Sequence, residues 1–125
     1  MRRERGDGGQ ASVELALVLP LVMILLLAVA QLGLLVRDQI LVVHAAREAA
    51  REAAVDPAAD APRRAALGSS TLAGDRLTVT STGRGAPGSR VRVEVAYQAS
   101  TAVPLVGAAM RGLTLRASAT MRVER

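Results

Sequence analysis

The sequence lacks cysteine, tryptophan, phenylalanine, lysine and asparagine, and Tyr97 is its single aromatic residue. Without cysteine, the chain forms no disulfide and offers no thiolate for catalysis or metal binding. The net charge of +5 comes from arginines that are scattered among acidic residues. Because there is neither a clustered basic patch nor a set of aromatic side chains for base stacking, nucleic acid is not an expected partner.

The sequence also lacks the residue patterns of a catalytic, metal or cofactor site. His44 is the only histidine, and no second histidine or acid stands at metal-ligand spacing beside it. The serines occur outside nucleophile motifs, and the glycines of residues 83–88 do not follow a phosphate-loop pattern. We therefore expect no enzymatic activity, no metal and no cofactor, and we interpret His44 as a helix-surface residue.

Ionisable residues are absent from one long stretch, residues 15–36, and this stretch dominates the sequence. As an α-helix it is about 33 Å long, enough to cross a hydrocarbon core of about 30 Å. We predict a transmembrane helix over residues 10–36. Residues 1–9 form a short basic tail that is expected to stay in the cytoplasm, so the orientation is N-terminus inside and C-terminus outside.

Two residues of this helix need an explanation, namely Glu14 at its start and Pro20 within it. A carboxylate at the bilayer centre costs about 2.5 to 3.5 kcal/mol, less near the interface, and usually has a partner. We interpret Glu14 as setting the axial register against a neighbouring subunit; the alternative is a carboxylate solvated among lipid headgroups. Pro20 removes a backbone N–H, so a kink is expected between Ala16 and Pro20. We give Pro20 a role in the same assembly.

Two cleavage sites compete in this region. Cleavage after Gly9 leaves Gln10 as the first residue and Glu14 as the fifth, which is the form that prepilin peptidases recognise. The new amine of Gln10 then lies one helical turn from Glu14 and can face that carboxylate on the next subunit. Alternatively, residues 28–30 (Ala-Val-Ala) before Gln31 have the small-x-small form of a signal peptidase site. Cleavage after residue 30 would release a secreted or surface binding module.

The helix is expected to continue into water over residues 37–55, because no glycine or proline interrupts it where the sequence becomes amphipathic. Asp56 and Pro57 should end it, so that one helix of about 65 Å runs from Ser12 to Val55. The apolar stripe predicted for the 37–55 continuation consists of Ile40, Val43, Ala46, Ala50 and Ala53.

Residues 56–125 are predicted to form a small α+β module outside the membrane. A short helix should begin near Asp60 and Pro62 and end near Leu67. Three later segments alternate apolar and polar residues, as strands with one buried face do; they are residues 76–80, 90–98 and 113–124. We expect a three-stranded antiparallel sheet whose apolar face is covered by the long helix and the short helix.

Two connections within this module are also assigned. Residues 83–88 are interpreted as the hairpin loop between the first two strands. Residues 99–112 carry an apolar patch that includes Leu105 and Met110. We expect this connection to be a short helix or a loop that touches the membrane surface or a neighbouring protein.

Several stretches of the chain carry a family resemblance. They are residues 9–20 (GQASVELALVLP), 31–33 (QLG), 45–51 (AAREAAR), 104–105, 113–115 and 119–122. In these stretches the chain resembles the TadE-like family of pseudopilins from tight-adherence (Flp) pilus systems. Leu15 and Leu32 stand where that family usually has an aromatic residue.

The resemblance implies a pilin-like fold and a membrane-anchored, minor-pilin-like component of pilus assembly, matured by a prepilin peptidase at Gly9. The implied location is a bacterial cytoplasmic membrane, with incorporation into a surface pilus and roles in cell adhesion and secretion. The implied partners are membrane lipid, other pilin-like subunits, the pilus assembly platform and a prepilin peptidase. Besides the module released after Ala30, a third hypothesis is a membrane-tethered accessory that never enters a filament.

Overall fold

The computed structural model describes residues 7–99 and 102–124. The chain forms one long helix, a short helix, a two-stranded hairpin, a one-turn helix and a third strand. The bounds are α1 Asp7–Val55, α2 Ala61–Gly68, β1 Leu77–Thr82, β2 Arg90–Gln98, α3 Val106–Ala109 and β3 Thr114–Arg122, with a 3-10 turn at Gly74–Arg76 before β1. This arrangement confirms the expected α+β class, with a long helix packed on a three-stranded sheet.

Helix α1 has 49 residues, which corresponds to about 73 Å. It ends at Val55, as expected from the Asp56-Pro57 pair that follows. It begins at Asp7, whereas the sequence pattern predicted a start at Ser12. The Ser12 hydroxyl donates a hydrogen bond to the Gly8 carbonyl at 2.9 Å, which ties the first turn to the next one. Residues 1–6 of the expected cytoplasmic tail lie outside the described residues. The kink expected near Pro20 stays a prediction.

The three strands form one antiparallel sheet in the order β1-β2-β3. Tyr97 on the central strand lies opposite Leu77 on β1 and Leu115 on β3, so the apolar residues of all three strands share one face. The β1–β2 hairpin loop contains Gly83, whose φ is 79°. A Cβ at that position would lie 2.9 Å from the Arg90 carbonyl oxygen, so the turn requires glycine.

The core lies between this sheet face and the C-terminal half of α1. Helix α1 packs on β2 and β3, while α2 packs against α1 and β1. Alanines dominate the helix side of the core, and they let the backbones of helix and sheet approach closely. The fully or almost fully buried core residues include Val42, Ala45, Ala46, Ala49, Ala50, Ala53, Val91, Val93 and Val95.

The buried stripe of α1 differs from the predicted one. Ala46, Ala50 and Ala53 are buried as expected, but Ile40 is 64% exposed and Val43 is only half-buried. The predicted stripe began with two three-residue steps, and each such step drifts about 60° around a helix of 3.6 residues per turn. The buried face is instead aligned with Val42, and Ile40 lies about 160° away from it.

The C-terminal end of α1 is capped by tertiary contacts. The Arg84 Nε donates a hydrogen bond to the Ala53 carbonyl oxygen at 2.8 Å. The backbone N–H of Glu124 donates to the Ala54 carbonyl oxygen at 2.9 Å. The last carbonyls of a helix have no partner within the helix and carry partial negative charge, so a guanidinium there stabilises the helix end. These two bonds join α1 to the β1–β2 loop and to Glu124, the second residue after β3.

The change Arg84→Ala is expected to lower the free energy of unfolding by about 1.5 to 3 kcal/mol, because a charge-assisted hydrogen bond to a helix end is lost. Thermal unfolding of the detergent-solubilised chain, followed by circular dichroism, measures the loss. The matched control is Arg51→Ala, which removes an exposed guanidinium from α1 itself and should change stability by less than about 0.5 kcal/mol. Equal stability of the two variants would contradict the capping role.

Candidate membrane-anchoring and assembly surface

Within the described residues, no other element covers α1 from residue 8 to residue 26. Residues 8–26 are all exposed, and none of the most apolar 18-residue window of the helix is buried. Within the described residues, α1 is the one helix long and apolar enough to cross a membrane. Its length and composition are compatible with a single-pass membrane anchor.

The protein's own core begins on α1 at Gln31. Gln31 is completely buried and Leu35 is 8% exposed, although both lie within the predicted 10–36 span. Gln31, Leu35 and Val42 lie within about 40° of one another around the helix, so they extend the buried stripe toward the N-terminus. The continuously exposed stretch thus ends at Leu26, and the first fully buried side chain of α1 is Gln31.

From the sequence, Gln31 was named as the residue after a signal peptidase site and as part of the 31–33 stretch of the family resemblance, but not as a buried residue. The sequence feature that could have indicated its burial is that Gln31 lies on the same helical face as the buried Leu35 and Val42. That signal depends on knowing which face of α1 meets the sheet, and the sequence pattern placed that face incorrectly.

The structure brings the predicted processing and register residues together in the first turns of α1. Gly9, Gln10 and Glu14 are helical and exposed. Glu14 is flanked by Val13, which is 61% exposed, and Leu15, which is 65% exposed. Among the ion pairs of the described part of the chain, none includes Glu14. A single carboxylate thus lies on an apolar surface that the rest of the described chain leaves uncovered.

The two candidate cleavage sites have different surroundings. A Cβ added at Gly9 would meet no atom within 4 Å, so this bond lies in open space near the helix start. Each glycine inside a helix costs about 1 kcal/mol relative to alanine, so Gly8 and Gly9 make local unwinding for a protease easier. The bond after Ala30 lies in the middle of α1, and the following residue, Gln31, is fully buried.

Pro20 and His44 are both exposed on α1. The helix continues through Pro20. Within the described residues, no contact of the Pro20 side chain explains its position. His44 lies on the helix surface, as its position in the sequence indicated. In the described ranges, no group of three or more histidine, cysteine, aspartate or glutamate side chains could hold a metal ion.

The chain is similar to a known protein family over its N-terminal part. A family model described as TadE-like protein matches residues 9–51. No curated protein matches the chain, and no solved structure matches it either. The matched range begins at Gly9, includes Glu14 and Pro20, and ends in the alanine-rich part of α1 that packs on the sheet. The match to residues 9–51 agrees with the TadE-like resemblance indicated by the sequence.

Proposed function

We propose that this protein is a membrane-anchored, non-enzymatic structural subunit of pseudopilin type in a tight-adherence pilus assembly or secretion system. The observation that carries the proposal is the bare half of α1. Residues 8–26 are exposed all around the helix, and the core of the module uses none of them. Soluble monomers rarely expose a continuous apolar surface of this extent, so lipid tails or similar helices must cover it.

The family match supports the same system. The TadE-like segment and the candidate membrane helix fit a protein associated with the tight-adherence (Tad) pilus. The finer proposal is that the chain acts as a pilin-like subunit, with its N-terminus in the cytoplasm and its module outside the bacterial cytoplasmic membrane. Its partners would be other pilin-like subunits and the assembly platform.

The position of the module supports a register role for Glu14. A helix needs about 20 residues to cross a hydrocarbon core of about 30 Å. Counting back from Ala30, the last residue before the buried Gln31, this span reaches about Ala11. Glu14 then lies just inside the hydrocarbon, where a carboxylate requires a partner, rather than among the headgroups.

The amine that cleavage creates at Gln10 is the partner that we propose for Glu14. The two residues are about 6 Å apart along the helix axis, so the amine of one subunit meets Glu14 of a neighbour when the two helices are offset by about that distance. An ion pair in a medium of low dielectric constant strongly favours one such offset. This fixed stagger is the proposed function of the pair in assembly.

The proposal is tested on the full chain in its native membrane. We expect the protein to remain in the membrane pellet after alkaline extraction and to co-purify with pilus subunits after detergent solubilisation. Recovery in the soluble fraction would contradict the anchor. Retention in the membrane without any pilus subunit would instead favour the membrane-tethered accessory.

The change Gly9→Val is expected to stop N-terminal shortening, because a branched side chain replaces the glycine at the bond to be cut. Intact-mass spectrometry of the protein from membranes measures the N-terminus. The matched control is Gly8→Val: a Cβ at Gly8 also meets no atom within 4 Å, and this variant leaves Gly9 in place, so it should still be shortened to Gln10. The same N-terminus in the wild-type chain and in Gly9→Val would remove the processing proposal.

A further inference from the structure

The connection between β2 and β3 holds a large apolar side chain in the open. Leu105 is 71% exposed, and its backbone has a φ of 65° and a ψ of −56°. The Val106 N–H donates to the Pro104 carbonyl oxygen at 2.7 Å, which closes a γ-turn around Leu105. The positive-φ form of this turn is rare and strained. Neither burial within the module nor backbone preference accounts for leucine at this position.

Two hydrogen bonds fix how β3 lies along α1. The Gln39 Nε2 donates to the Arg116 carbonyl oxygen at 3.3 Å, and the Glu124 N–H donates to the Ala54 carbonyl oxygen at 2.9 Å. Strand β3 therefore runs in the same direction as the helix. Thr114 lies about 7 Å before Arg116 along the strand, and this distance spans between four and five residues of a helix. The start of β3 is thus level with about Leu35.

The β2–β3 connection lies at the end of the sheet nearest the bare half of α1. Gln98 at the end of β2 pairs with Thr114 at the start of β3, so the connection leaves the sheet and rejoins it at this edge. Helix α3, in the connection, contacts α1. Leu105 therefore lies where the candidate membrane span meets the module.

The same edge of the module contains a cleft with two arginines. The cleft is open, has a volume of about 510 Å³, and is lined by Arg76, Gln98 and Arg111 among others, with no carboxylate. Arg76 directly precedes β1 and Arg111 precedes β3. No ion pair in the described part of the chain includes either guanidinium. Two guanidinium groups and an amide are suited to bind a phosphate group.

We propose that this edge of the module docks on the outer surface of the bilayer. Leu105 inserts among the upper acyl chains, and Arg76 and Arg111 bind the phosphate of an anionic phospholipid. This inference rests on the membrane anchoring proposed above and adds a second contact with lipid. A helix held only by its span can rotate about its axis, whereas a second contact on one side fixes which face of α1 the module presents to an incoming subunit.

Tryptophan substitutions test the insertion of Leu105, because the chain has no tryptophan of its own. The full chain is reconstituted in phosphatidylcholine vesicles whose acyl chains carry bromine near the headgroup. Leu105→Trp is expected to emit at shorter wavelength and to lose most of its emission. Val55→Trp is the matched control, because Val55 is also an exposed apolar residue but lies about 36 Å beyond Gln31 along α1. It should keep its emission.

A third reporter separates this proposal from the anchor itself. Leu21→Trp lies near the middle of the candidate span, so it is measured in vesicles whose acyl chains carry bromine near their ends, where it should be quenched whenever the helix is in the bilayer. Quenching of Leu21→Trp without quenching of Leu105→Trp would overturn the docking proposal and leave the anchor intact. Absence of quenching in both would overturn both.

The arginine cleft is tested with brominated phosphatidylglycerol at the same mole fraction as the brominated phosphatidylcholine. Leu105→Trp should be quenched more strongly by the anionic lipid, with a preference of about fivefold for each arginine. Adding Arg76→Ala and Arg111→Ala should remove the excess, whereas Arg92→Ala and Arg116→Ala, which change the charge equally on the solvent face of the sheet, should keep it. Loss of the excess on adding inorganic phosphate at constant ionic strength would indicate a free-anion site and overturn the choice of a lipid.

Discussion

Replacement of Glu14 by alanine is expected to reduce co-purification of the chain with other pilus subunits sharply while membrane insertion stays intact. Removing the carboxylate makes the helix more apolar, which favours insertion by up to about 2.5 to 3.5 kcal/mol. It also leaves the proposed amine partner unpaired, and breaking one side of a buried ion pair costs about 3 to 5 kcal/mol. Quantitative mass spectrometry of subunits recovered from solubilised membranes measures the loss, and alkaline extraction measures insertion.

Two matched variants distinguish the effect of losing the Glu14 carboxylate from the effect of any change on this surface of the helix. Glu14→Asp keeps the carboxylate and should retain a substantial part of the assembly. Ser12→Ala removes only the hydroxyl that bonds to the Gly8 carbonyl, and should assemble like the wild-type chain. Unchanged recovery of pilus subunits with Glu14→Ala would contradict the register role and favour a carboxylate solvated among the headgroups.

Replacement of Ala49 by leucine is expected to disrupt the packing of α1 on the sheet. Ala49 is completely buried, and Val93 and Val95 on the central strand are completely buried as well. Overpacking a filled core typically costs 1 to 3 kcal/mol, and the loss is expected at the upper end of about 3 kcal/mol because the backbones of helix and sheet must separate. For a domain of this size, each kcal/mol lowers the melting temperature by about 4 to 8 °C.

Thermal unfolding of the detergent-solubilised chain measures this loss, and limited proteolysis of the module reports it independently. The control is Arg51→Leu, which places the same side chain on an exposed position of α1 two residues away. It should leave the melting temperature within a few degrees of wild type, at a cost of less than about 0.5 kcal/mol. If both leucine variants unfold at the same temperature, the close packing of the alanine face is wrong.

Local sequence patterns predicted most of the secondary structure. Two-residue alternation located the three strands, because each strand buries one face only. The Asp56-Pro57 pair located the end of α1, since the residue before a proline disfavours helical geometry. The short helix followed from Pro62 near its start and the Gly68-Ser69-Ser70 stretch after it. All these signals act within a few residues, so they do not depend on how the chain packs.

Features that depend on tertiary packing were predicted less well. Ile40 was assigned to the core although Val42 faces the sheet, because a helix made largely of alanine and valine offers several apolar stripes of similar strength. The burial of Gln31 depends on parts of the chain that are distant from it in sequence. The hydrogen bond from Arg84 to the end of α1 likewise joins residues that are distant in sequence. No local pattern contains that information.

The candidate processing and register residues could be proposed from the sequence for the opposite reason, and their roles stay predictions. Gly9, Gln10 and Glu14 lie within one short stretch, and their meaning depends on spacing along a helix. The structure adds that this stretch is uncovered within the described residues. It also shows that the buried face of α1 begins only at Gln31. Arg76 precedes β1 and Arg111 precedes β3, so the pairing of β2 with both of these strands brings them to one cleft. They could not be grouped from the sequence.

The permanence of α1 as a membrane helix is tested most directly by the mass of the native protein in membrane and soluble fractions. We expect a membrane-bound species whose first residue is Gln10, with all of the bare helix retained. A soluble species that begins at Gln31 would contradict this, because the helix would then be a discarded signal and Glu14 would be absent from the mature protein.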